Sequence, residues 1–203
     1  MNRNTRPLLL GHATQYLDRH FQRPAMKILP GEFYATGRDE IIVTVLGSCV
    51  AVCLHDPESA VGGMNHFMLP TQPPGPAEDP YRAARYGVGA MELLINHVLH
   101  LGAQRQRLVA KVFGAGRVMD GVGDVGQRNA TFIRDFLRME HIPRLAEDLG
   151  GTLPRKVYFF PATGQVLVRC LSSLKNATLF SRETSYLTEL NKCMPEGEVD
   201  LFP

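Results

Sequence analysis

The sequence predicts a mixed α/β (α+β) fold in a single domain: a layered β-sandwich core flanked by helices. Short β-type runs bounded by turn residues recur along the chain. Two further segments carry apolar residues at steps of three and four, the period of a helix that packs by one face. At 203 residues, with 44% hydrophobic and 21% charged residues, the chain can bury one substantial core without requiring a second.

Residues 1–31 read as an N-terminal extension. Leu8-Leu9-Leu10 is far shorter than a secretory apolar core of about 7–15 residues or a membrane helix of about 20. Tyr16 to Phe21 reads as a helical turn or loop, with His12 and His20 solvated. Glu32–Thr36 and Glu40–Leu46 follow as strands turning at Gly37-Arg38-Asp39, the second apolar enough for a sheet interior. Val50–Leu54 and Val61–Phe67 form a hairpin about Asp56-Pro57-Glu58-Ser59. The proline-rich stretch from Pro70 to Pro80 excludes regular structure and reads as a surface linker or a lining of the neighbouring site.

Tyr81 to Leu101 is a helix facing inward through Ala84, Val88, Met91, Ile95 and Val98. Leu108–Phe113 is a buried strand entering Gly114-Ala115-Gly116, and no complete phosphate-loop pattern follows it. Asn129 is expected to cap a second helix with an apolar face at Phe132, Ile133, Phe136 and Leu137. Leu145–Leu149 is a strand, and Lys156–Phe160 with Gln165–Leu171 makes a hairpin across residues 161–164. Residues 172–203 read as a C-terminal extension, with a terminal helix starting after Ser181 or Glu183.

The formal net charge of +2 gives no argument for nucleic acid or a membrane surface. Cys49 and Cys53, four apart on a strand, stand about 13 Å apart at about 3.3 Å per residue. A disulfide needs Cα atoms within about 7 Å. The cysteine and histidine spacings make no plausible zinc set. Cys53 and Cys170 read as buried strand residues in a reducing, cytoplasmic setting.

The candidate chemistry lies between Thr44 and Pro70. Cys49 follows a Gly47-Ser48 turn whose backbone N–H groups could stabilise an oxyanion, although Gly-Ser is also common in ordinary turns. With Asp56–Ser59 as a four-residue loop, His55 pairs with Ala60 and Cys49 falls directly opposite His66. Facing residues hold their Cβ atoms about 4.5–5.5 Å apart. A slip of one residue would put the two on opposite faces. An imidazole so placed can take the thiol proton and later protonate a leaving amine. The same residue types also occur as a small buried hydrophobe and a structural histidine.

The wording LGSCVAV followed by GGMNHFMLP resembles the chemotaxis protein CheD family of chemoreceptor glutamine deamidases. The resemblance continues through residues 111–116, 124–129, 146–151 and 163–169, and covers about residues 32–171 as a deamidase domain. It implies Cys49 as nucleophile, His66 as general base and an upstream threonine contributing. Thr44 is the candidate there, with a plain β-branched strand residue as the other reading. Gly47 and Ser48 are then the substrate-binding turn. The implied fold is a compact α/β sandwich similar to the catalytic domains of deamidating toxins.

The implied substrates are methyl-accepting chemotaxis receptors, and the implied reaction requires no metal or organic cofactor. The charge balance and the short apolar run add the expectation of no nucleic acid and no membrane insertion. A non-catalytic regulatory module binding a CheC-type phosphatase is the other reading that the resemblance allows. If receptors are substrates, the site should open to the surface between Gly47-Ser48, the Pro70–Pro80 loop and Gly114-Ala115-Gly116.

Overall fold

The computed structural model describes residues 13–69, 80–118, 125–171 and 177–193. Among these, one five-stranded sheet takes the order β1 (Thr14–Asp18), β2 (Arg23–Lys27), β4 (Ile41–Leu46), β9 (Arg155–Phe160), β10 (Gln165–Cys170). The other takes the order β3 (Phe33–Thr36), β6 (Val61–Phe67), β5 (Val50–Asp56), β7 (Val109–Gly114), β8 (Arg144–Leu149). Each sheet is mixed, with β2–β4 and β7–β8 parallel and the remaining pairs antiparallel.

Side-chain alternation along β5 separates the layers. Ala51 and Cys53 point into a core shared with Ile42 and Leu46 of β4 and Phe159 of β9, so the two sheets pack face to face. Val50, Val52 and Leu54 point the other way, against Met91, Leu94 and Val98 of α1 (Pro80–His100) and Ile133 and Phe136 of α2 (Val125–Met139). A strand buried on both faces needs apolar residues at nearly every position. A third helix, α3 (Ala177–Cys193), adds Leu187 to the core between the sheets. The α+β sandwich with helices on one outer face matches the fold class read from the sequence.

Several local expectations need correcting. Tyr16 to Asp18 belong to a strand, and β2 joins the first sheet by pairing with β4. Pro24 in β2 and the largely exposed pattern of β1 erase the usual strand signal. Although β3 and β4 are consecutive, they lie in different sheets, so the turn between them crosses from one layer to the other. Asn129 sits inside α2, which starts four residues earlier at Val125. Cys170 is exposed on the edge strand β10, whereas Cys53 is buried as expected. The terminal helix begins at Ala177, before Ser181. The Pro70–Pro80 loop lies outside the described residues except at Pro80, which opens α1.

The hairpin register also differs. Asp56 ends β5 opposite Val61, leaving Pro57 to Ala60 as the loop, so His66 pairs with Ala51. The cause is the Asp56 carboxylate, which has no exposed surface. It accepts hydrogen bonds from Arg107 Nε at 2.9 Å and Nη2 at 2.6 Å, and from the Gln104 N–H at 2.9 Å. That arginine holds the Asp56 carboxyl far below its usual range. A residue type that favours turns is thereby kept at a strand end.

Candidate active site

β4 delivers the chain from one sheet to the other through Gly47, Ser48 and Cys49, and every carbonyl of that turn is tied from behind. The Gly47 oxygen accepts from the Gly116 N–H at 2.7 Å, and the Cys49 oxygen from the Ala115 N–H at 2.7 Å. The Ser48 oxygen accepts from Asn129 Nδ2 at 2.9 Å, while Asn129 Oδ1 accepts the Leu69 N–H at 2.9 Å. Gly114, at φ +109°, lets the two turns approach, since a Cβ there would run into the Cys49 carbonyl.

With its carbonyls fixed, the turn presents its N–H groups to one spot, and Glu183 of α3 occupies it. The carboxylate accepts from the Gly47 N–H at 2.8 Å, the Ser48 N–H at 2.9 Å and the Ser48 hydroxyl at 2.7 Å, with the Cys49 N–H at 3.5 Å. A Cβ on residue 47 would lie 2.7 Å from a Glu183 oxygen, so only glycine admits the acid so close.

Cys49, His66 and Thr44 gather beside this spot, between the sheets. Although Cys49 is not directly opposite His66, both belong to the inward face of the second sheet. Moving the pairing by two positions preserves the face and makes them diagonal neighbours. Cys49 Sγ, one imidazole nitrogen of His66 and a Glu183 carboxylate oxygen all lie within 4.8 Å of one another. Thr44 reaches across from the first sheet, its Oγ1 2.8 Å from His66 Nδ1. The same hydroxyl donates to the Ile28 carbonyl at 2.9 Å. Its only proton is thus committed, so Thr44 accepts from His66 and the ring proton sits on Nδ1. Nε2 keeps its lone pair and has no hydrogen-bond partner among the described residues.

Burial sets the resting charges. It pushes the Cys49 thiol well above its usual value, and the neighbouring Glu183 charge pushes the same way. Burial pulls His66 down to about 3. The resting pair is therefore neutral thiol and neutral imidazole. The Cys53 thiol is also pushed up by burial, with Lys111 opposing. Cys49, His66 and Glu183 also offer three donor types that a soft divalent metal accepts, although both Glu183 oxygens are already held by the turn.

The structure thus brings Cys49, His66, Thr44, Gly47 and Ser48 into one cluster. It does not open that cluster to solvent, because Cys49 and Glu183 have no exposed surface and His66 and Thr44 almost none. Gly114, Ala115 and Gly116 buttress the turn from behind. Sequence reasoning missed Asn129, whose polarity within an apolar helical face was the available signal. It also missed Glu183, which lies 134 residues from Cys49 with no local motif.

Comparison with known proteins places this chain in a family. The family model described as CheD chemotactic sensory transduction matches residues 68–170, beginning two residues after His66. A Shewanella oneidensis protein named "Probable chemoreceptor glutamine deamidase CheD 1" is 53% identical over 195 residues, covering 95% of each chain. A Janthinobacterium protein named "Probable chemoreceptor glutamine deamidase CheD" is 54% identical over 190 residues, covering 92% of this chain and 93% of its own. A Thiobacillus denitrificans protein of the same name is 54% identical over 189 residues, covering 92% and 94%. A match over half of the chain, and relatives sharing more than half of their residues along nearly all of it, show that the chain belongs to the CheD family.

Proposed function

We propose that this chain is a chemoreceptor glutamine deamidase, hydrolysing glutamine side-chain amides of chemoreceptors to glutamate and ammonia. The observation that carries the reading is the buried thiol of Cys49 beside a histidine whose tautomer Thr44 fixes. His66 Nε2 takes the thiol proton as sulfur attacks the amide carbon. The oxyanion that forms is held by the Gly47 and Ser48 N–H groups. The imidazolium then protonates the nitrogen, the C–N bond breaks and ammonia leaves a thioester. Water, deprotonated by the same nitrogen, attacks the thioester, the C–S bond breaks, and glutamate and the thiol are released. Thr44 orients the imidazole throughout.

We assign the chemistry to residues 32–171, flanked by an N-terminal segment (1–31) and a C-terminal segment (172–203). The unpaired thiols Cys49, Cys53 and Cys170 support action in the cytoplasm, and no described helix is long and apolar enough to cross a membrane. A CheC-type phosphatase is the regulatory partner in this reading, and the small net charge supports no nucleic-acid partner. The test is mass spectrometry of receptor peptides after incubation with the protein. Wild type should give the mass gain of amide-to-acid conversion, Cys49→Ala none, and Cys53→Ala most of the wild-type yield. Full conversion by Cys49→Ala would end this reading.

A further inference from the structure

The acid that fills the site belongs to the chain itself and is carried on a helix. Glu183 has no exposed surface, yet makes no ion pair among the described residues. A buried carboxylate is ordinarily matched by a cation. This one is matched by the N–H groups and hydroxyl of the turn beside Cys49. Its neighbours include the nucleophilic sulfur and the histidine, all within 4.8 Å.

We propose that α3 is a resident product analogue: Glu183 occupies the seat of the substrate side chain, and α3 must withdraw for turnover. The inference rests on the glutaminase reading, because the product of that reaction is a glutamate held by the same donors. One carboxylate oxygen accepts from the Gly47 N–H and the other from the Ser48 N–H and hydroxyl, so the donors assigned to the oxyanion already hold the acid that the reaction would leave behind. The lack of space for any side chain on residue 47 fits a turn shaped around an incoming amide or acid.

Residues 181–190 of the helix are also thinly attached. Of residues 181–190, Glu183, Leu187 and Leu190 are buried on one stripe, while Ser181, Arg182, Thr184, Ser185, Thr188 and Glu189 are exposed. Tyr186 adds a hydroxyl contact to Tyr86 and packs over Gly31. By contrast, α1 buries Ala90, Met91, Leu94, Ile95 and Val98. Over residues 181–190 the helix is held by two leucines, one tyrosine and the acid, an attachment that a receptor helix presenting its own glutamine can displace.

The test converts the analogue into a substrate. In Glu183→Gln the seat holds an amide, which the enzyme should hydrolyse to glutamate at a rate independent of protein concentration. Peptide mass spectrometry should find glutamate at position 183, and should find glutamine retained when Cys49→Ala is added. Retained glutamine at 183 in an enzyme whose wild type deamidates receptor would overturn the inference and leave the glutaminase reading standing. Equal conversion with and without Cys49 would also overturn it.

If neither receptor nor residue 183 is converted, both readings fall. A second measurement uses Glu183→Ala. Alkylation of Cys49 should be faster than in wild type by roughly tenfold, as expected if about a tenth of wild-type molecules are open. Cys53, buried in the same core and outside the hydrogen bonds that Glu183 makes to the turn, should react at the wild-type rate and so exclude general unfolding. An unchanged Cys49 rate would overturn the proposal.

Discussion

At the scale of single residues, the orienting role proposed for Thr44 rests on one proton. The Ile28 carbonyl takes it, which leaves the hydroxyl oxygen to accept from His66 and fixes which ring nitrogen keeps its lone pair. Thr44→Val keeps the shape and removes that acceptor. The expected result is a fall in kcat of roughly tenfold to a hundredfold, by analogy with the partners that orient metal-bound histidines, with KM little changed. Thr44→Ser should recover most of it, and a valine variant with unaltered kcat would refute the tautomer argument. His66 also couples the site to stability. Its usual value of 6.5 falls to about 3 on burial, so between pH 7 and pH 5 the unfolded chain gains a proton that the folded chain refuses. Stability therefore drops with falling pH, by about 2 kcal/mol from this group. Urea unfolding of wild type and His66→Gln at the two pH values isolates it, because His55 and the acids are common to both. Parallel profiles would contradict the assignment.

Among elements, α2 bears on the site through Asn129, which bridges the Ser48 carbonyl and the Leu69 N–H. Asn129→Ala leaves both without a partner, at about 1–3 kcal/mol each. The variant should unfold at lower urea with an unchanged slope, and its remaining folded fraction should deamidate poorly. Normal activity per folded molecule would separate Asn129 from the turn. Strands β4 to β6 and helices α1 and α2 were legible because periodicity is a local property, and β5 shows in its apolar run that both of its faces are covered. The hairpin register was not legible, because Arg107 extends β5 through Asp56 from 51 positions away. Nor was β2, where Pro24 reads as a breaker while the neighbouring β1 and β4 carry the pairing. Cys49 and His66 could be named from their motifs. Glu183 could not, since only the folded chain brings α3 to the turn.

For the molecule as a whole, one surface must serve any protein that reaches Cys49. Receptor and CheC-type partner should therefore compete, and deamidation inhibited by rising partner should recover with excess receptor. Inhibition that receptor cannot relieve would indicate separate surfaces. The hydrogen bond from His66 to Thr44 has a mechanical meaning as well, because its two ends belong to different sheets. In the proposed mechanism the nucleophile rides on the link between those sheets, and the base and its orienting hydroxyl face each other across the gap. Neither layer carries a working half. A swollen state that keeps both sheets but lets them slide by an ångström would retain its strand signal and lose its chemistry. The proposed catalytic centre is thus a rivet through the sandwich, and its turnover would report whether the two layers are clamped in register.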